Sequence, residues 1–107
     1  MDEDKYSKIF ELILNAGNSK SQSLLALEAA RNFDFEEVDK CLEEAEKELR
    51  AAHKAQISMI HQEAQGIPVE TNIILVHAQD HLTMAMMAKD FADEFVNIYK
   101  ILKELKK

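Results

Sequence analysis

The sequence predicts an all-α fold, an up-down-up bundle of three long helices. Three observations lead there. The 107 residues include only two Gly and one Pro, too few turn formers for a β-rich chain. Apolar residues recur at helical spacing through three long stretches. Between these stretches, "NFDFEEV" and "GIPVETN" carry helix stop and start signals. The length fits a single domain spanning residues 1–107. A hydrophobic share of 47% and a charged share of 31% suit a soluble globular protein.

The first helix is predicted over about residues 4–32. Tyr6, Ile9, Phe10, Ile13 and Leu14 set its apolar spacing, and Leu24, Leu25 and Leu27 continue it. Gly17 and the stretch "GNSKSQS" interrupt that pattern. They predict one helix with an irregular middle, caused by a bend or by a closely approaching backbone.

The second helix, over about residues 34–64, has a capping-box start with Asp34 as N-cap and Glu37 as N3. Phe33 and Val38 occupy the positions of a hydrophobic staple, and Glu36 and Glu37 suit the positive end of the helix dipole. Gly66 is the expected stop. Pro68 suits the first turn of a third helix over about residues 68–105. Each helix would be about 40–55 Å long.

Two adjacent apolar rows run along the third helix. One comprises Ile73, His77, Asp80, Met84, Met87, Phe91, Glu94, Ile98, Ile101 and Leu105, a heptad seam. The other reads Ile74, Ala78, His81, Ala85, Ala88, Ala92, Phe95, Tyr99 and Leu102. One row suffices to pack on the other two helices, which leaves the second for a partner and predicts self-association.

The net charge of −7 argues against nucleic acid as a partner, because phosphate binding needs clustered Lys and Arg. No apolar run is long enough to insert in a membrane. The N-terminus "MDEDKYSKIF" is acidic, unlike a signal peptide. Cys41 is the lone cysteine and lies in the acidic run "VDKCLEEAEKEL", which disfavours a thiolate and points to a structural role. A reducing cytoplasm is the expected location.

His53 and His61 lie among polar neighbours on the second helix and read as surface residues. His77, Asp80 and His81 are different. They stand at i, i+3 and i+4 in "ILVHAQDHLT", on one helical face within an apolar stripe. Ionisable groups placed there are costly to bury unless paired, coordinated or used. Four readings stay open on the residues alone. A histidine pair one turn apart can ligate zinc, although no third ligand is evident. Imidazole also suits acid–base work near neutrality, and nucleophilic use. The fourth reading is a polar cluster that fixes the register between subunits.

"LVHAQDHLT" resembles the active-site segment of lactose/cellobiose-type enzyme IIA of the phosphoenolpyruvate-dependent sugar phosphotransferase system. "AHKAQISMIHQEAQG" resembles that family's second helix, and the likeness extends over essentially the whole chain. The resemblance implies a phosphocarrier in which His77 takes a phosphoryl group from the general phosphocarrier protein. It would then pass the group to a cysteine of the cognate enzyme IIB, during uptake of a lactose-, cellobiose- or chitobiose-type disaccharide. Gln79 and His81 match family residues that line the site and help orient the reactive imidazole. Asp80 matches the residue that, from three subunits, meets a divalent ion, expected to be Mg2+, on the axis of a homotrimer. Thr83 departs from the Met common in the family. The competing expectation is a non-catalytic helical oligomer that binds metal or protein through the same seam.

Overall fold

The computed structural model describes residues 3–106, so Met1, Asp2 and Lys107 lie outside it. Three helices follow one another: α1 (Glu3–Arg31), α2 (Phe35–Ala64) and α3 (Ile73–Lys106). They form a slender rod with extents of 60 × 23 × 19 Å. Helix α1 lies against both others, whereas α2 and α3 meet each other over a smaller surface.

The irregular middle expected of α1 does not occur. The helix runs unbroken through Gly17 and Ser23. Its polar stretch faces inward: Ser19 and Ser23 are fully buried, and the Ser19 hydroxyl donates to the Ala45 carbonyl at 2.8 Å. The buried seam of α1 is Ile9, Leu12, Ala16, Ser19, Ser23, Ala26 and Ala30, a seven-residue repeat of mostly small side chains that lets the neighbouring helices approach closely. Leu24 and Leu25, expected to continue the apolar face, are exposed. A Cβ at Gly17 would meet nothing within 4 Å, so packing inside the chain does not require glycine there.

Helix α1 ends in a Schellman motif. Phe33 adopts φ 58°, its N–H donates to the Ala30 carbonyl at 2.9 Å, and the Asp34 N–H donates to Ala29 at 3.0 Å. Asp34 then caps α2 by accepting from the Glu37 N–H at 3.2 Å. Only half of the expected capping box forms, because the Asp34 N–H is already engaged by α1. The Glu37 carboxylate instead lies 3.8 Å from the Cys41 sulfur. Gly66 at φ 83° ends α2 as expected, with Gly66 N–H to Glu63 and Ile67 N–H to Gln62, both at 3.1 Å.

Helix α3 begins at Ile73, five residues later than Pro68 suggested. Asn72 is its cap: the side-chain oxygen accepts from the Leu75 N–H at 2.9 Å. The preceding segment is pinned to α2 by Val69 N–H donating to the Glu63 carboxylate at 2.8 Å. An asparagine cap outcompetes proline as a start signal because it satisfies an otherwise orphaned backbone N–H.

Neither apolar row of α3 is the whole core. Leu75, Ala78, Leu82, Ala85, Ala92 and Val96 are buried, so Ala78, Ala85 and Ala92 from the second row join residues outside both rows. Two apolar clusters result, one around Leu12 and Leu82 and the other around Val38 and Val96. Lys89 lies between them in sequence, with its side chain 13% exposed, and bonds Asp93 at 2.9 Å and Glu46 of α2 at 3.7 Å. Every member of the first row, from Ile73 to Leu105, faces outward.

Candidate functional site on the third helix

The site occupies the first three turns of α3. Helical geometry stacks His77 beneath His81, one turn apart. Their rings meet edge to face, with centroids 4.4 Å apart and an interplanar angle of 84°. Nε2 of one lies 3.0 Å from Nε2 of the other. A hydrogen bond at that distance needs one ring to carry its proton on Nε2 and the other to offer a lone pair there. His77 is exposed and His81 half-buried. The geometry therefore presents a paired but reachable imidazole. With His81 as donor, His77 holds a lone pair at Nε2 and its N–H at Nδ1, the form a nucleophile requires.

Asp80 faces outward on the same seam and makes no ion pair among the described residues. Gln79 does not join the imidazoles. Its side-chain oxygen accepts from the Gln56 amide of α2 at 2.6 Å, because positions two apart on a helix point to different sides. There it lines a groove of about 290 Å³ with Met59, Ile60, Val69, Leu75 and Val76. Gln56, which the sequence did not single out, is the residue that ties Gln79 down. Only the tertiary structure reveals that pair.

Among the described residues no three His, Cys, Asp or Glu side chains gather to hold a metal ion. The zinc reading of the histidine pair thus finds no third protein ligand among the described residues of one chain. Asp80 likewise offers a single carboxylate per protomer, and a hard-cation site there needs further copies to supply oxygen ligands. Thr83 is exposed, one turn and a half beyond His77.

The other histidines and the cysteine stand apart. His53 and His61 are exposed on α2. Cys41 is buried, and burial foremost, followed by the charge and hydrogen bond of Glu37, pushes its pKa above the ordinary 9.0. The thiol therefore stays protonated and unreactive at neutral pH.

Comparison with known proteins places this geometry. The Lichenan-specific phosphotransferase enzyme IIA component of Bacillus subtilis is 41% identical over 104 residues, covering 97% of this chain and 94% of the relative. The crystal structure of the PTS cellobiose-specific enzyme IIA from Bacillus anthracis superposes with a TM-score of 0.92 at 36% identity, covering 97% of this chain and 95% of that one. The IIA(Chitobiose) of the IIA(Chitobiose)–HPr complex from Escherichia coli, a solution structure, gives 0.81 at 28% identity, covering 95% and 99%. No helix among the described residues is long and apolar enough to cross a membrane. The model of the lactose/cellobiose-specific IIA subunit of the PTS matches residues 7–100, and the chain belongs to that family of phosphotransferase-system components.

Proposed function

We propose that this chain is a phosphocarrier that accepts a phosphoryl group on His77 from the general phosphocarrier protein. It then transfers that group to a cysteine of a cognate enzyme IIB, in the cytoplasm, during uptake of a lactose-, cellobiose- or chitobiose-type disaccharide. The observation that carries the reading is the exposed His77 imidazole, its Nε2 3.0 Å from that of His81, in a chain of this family. The structural relative seen in complex with HPr supports the identity of the donor.

The chemistry follows from the pair. The Nε2 lone pair of His77 attacks phosphorus in line, and the N–P bond to the donor imidazole breaks with its electron pair left on the donor. His81 must first release its hydrogen bond to that lone pair, and its Nε2–H is then free for a phosphoryl oxygen. In the second step the acceptor thiolate attacks phosphorus, and the departing pair returns to His77. Positioning and charge neutralisation dominate such transfers. The sequence carries no Lys or Arg between Lys54 and Lys89, so few cations lie near "HAQDH" in sequence, and the partners or backbone and amide donors provide part of that neutralisation. Gln79, held by Gln56, supports the site by fixing the start of α3 against α2.

The exposed seam supports assembly into a homotrimer along α3. Three Asp80 carboxylates would then converge, and a divalent ion with oxygen ligands, Mg2+ foremost, would offset their repulsion. This ion is structural in the proposal and takes no part in the transfer. The decisive test is incubation with the phosphocarrier and a labelled donor, followed by mass mapping at alkaline pH. Label on His77, lost in His77→Ala, is expected. Label on His81, or label retained in His77→Ala, refutes the assignment. Trimerisation without any label favours a non-catalytic oligomer.

A further inference from the structure

The same two nitrogens that suit phosphoryl transfer also have the spacing of a chelate. Metal–imidazole bonds are about 2.0–2.1 Å long. Two nitrogens 3.0 Å apart would then subtend about 91–97° at a shared ion, by simple triangle geometry on those bonds. That angle suits two adjacent positions of a tetragonal or octahedral shell, the geometry of Cu2+ and Ni2+. For tetrahedral Zn2+ the nitrogens must part by about 0.3–0.4 Å, and in either shell the two ring lone pairs must turn from the N–N line toward the ion. Hard ions such as Mg2+ prefer oxygen and are not competitors at this pair.

We propose that His77 and His81 form a two-imidazole site for a late first-row divalent ion, and that ion and phosphoryl group exclude each other there. Several features support ligand access. His77 is exposed and His81 half-buried, so water can fill the remaining coordination positions. Both rings sit on one uninterrupted helix, which fixes their spacing without a hinge. The only bond given up is the one between the rings. The donor ring needs no net loss of a proton, since its N–H moves from Nε2 to Nδ1 and frees the second lone pair. Two imidazoles without a third protein ligand among the described residues make an exchangeable site rather than a permanent one.

Exclusion follows from counting lone pairs. An ion bound to Nε2 of His77 occupies the electron pair that would attack phosphorus, and a phosphoryl group on Nε2 removes the pair that would hold the ion. This second half rests on the phosphocarrier reading, whereas ion binding does not. Each half is therefore tested separately.

Calorimetric titration of the full chain with Ni2+ and with Zn2+, in excess Mg2+ to saturate oxygen sites, should give one ion per protomer. His77→Ala and His81→Ala should each weaken binding by at least the roughly 10–100-fold that losing even an outer-shell partner costs. Circular dichroism should show helicity unchanged in both. A variant lacking His53 and His61 together should bind as wild type does. Absent binding in the wild type, or wild-type affinity in either single variant, overturns the site whether or not His77 takes phosphate. In the second arm, Ni2+ should slow labelling and a chelator should restore it, while phosphorylated protein should no longer bind the ion. Equal ion affinity before and after phosphorylation overturns the exclusion and leaves the binding result to stand or fall on the first arm.

Discussion

At the scale of single residues, the two site histidines differ in exposure and, in the proposed phosphocarrier, in duty. His77 is the more exposed, and His81 contributes its Nε2 to hold the partner ring edge-on. His81→Ala should slow transfer while the label stays on His77. Rates equal to wild type in both the donor and the acceptor half-reaction would contradict that role. Cys41 makes a different prediction. Its pKa is raised in the folded chain, chiefly by burial and then by Glu37, so the folded state holds the thiol proton more tightly than the unfolded state does. The resulting stabilisation is fully present below the unfolded thiol's pKa and is lost as pH rises through the higher folded value. Stability measured by urea unfolding should therefore decline above about pH 9, and Cys41→Ala should flatten that part of the decline. An identical alkaline slope in the variant would remove the thiol from the account. The acidic run around Cys41 already points to a structural thiol, because neighbouring carboxylates disfavour a thiolate, and the structure adds Glu37 as the specific partner.

At the scale of elements, the helix ends and the α1 seam hold the informative interactions. Phe33 takes a left-handed conformation that usually falls to glycine, at a cost of about 1–2 kcal/mol. Neighbouring contacts offset this: its ring lies 6.3 Å from that of Phe35, with Lys106 5.5 Å above it. Asn72 holds the first turn of α3 and hence the placement of His77. Asn72→Ala should cost about 1 kcal/mol in unfolding free energy, and an unchanged denaturation midpoint would show that another group caps the helix. Ser23 is the opposite case. Its hydroxyl is buried with no hydrogen-bond partner among the described residues, so Ser23→Ala should stabilise the chain by on the order of 1 kcal/mol. Ser19→Ala should destabilise it, because the buried hydrogen bond from the Ser19 hydroxyl to the Ala45 carbonyl is lost. The reverse ordering of the two variants would overturn this reading of the seam. Protein concentration must be held constant in these comparisons if the chain self-associates.

At the scale of the whole molecule, the outward row of α3 dominates. Ile73 is 80% exposed, Phe91 55% and Leu105 77%, in a mostly apolar stripe, interrupted by His77, Asp80 and Glu94, of the kind that marks an interaction surface. Sedimentation equilibrium should give a trimer, and the melting temperature should rise with protein concentration. In the proposed trimer, Asp80→Leu would remove both the axial charge repulsion and the ion, so the assembly should persist without metal and be equally or more stable. Asp80→Lys should weaken it. A wild-type monomer, or an Asp80→Leu protein that still carries a stoichiometric ion on the axis, would show that the seam has another use.

Short-range physics explains what the sequence determined alone: the number of helices, the Asp34 cap, the Gly66 stop, and the shared face of His77, Asp80 and His81. Each depends on spacing within a turn or on a side chain bonding backbone a few residues away. The tertiary structure decided which face of each helix turns inward. Ser19 and Ser23 look like an interruption in a search for large apolar side chains, yet they belong to the core, where small residues allow the neighbouring helix to come close. Gln79 lies within "HAQDH" but answers to Gln56, which is 23 residues away in sequence. A periodic pattern defines the faces of a helix, but it cannot choose among adjacent faces. That choice depends on how closely the other two helices can approach, and so on contacts between residues far apart in the chain.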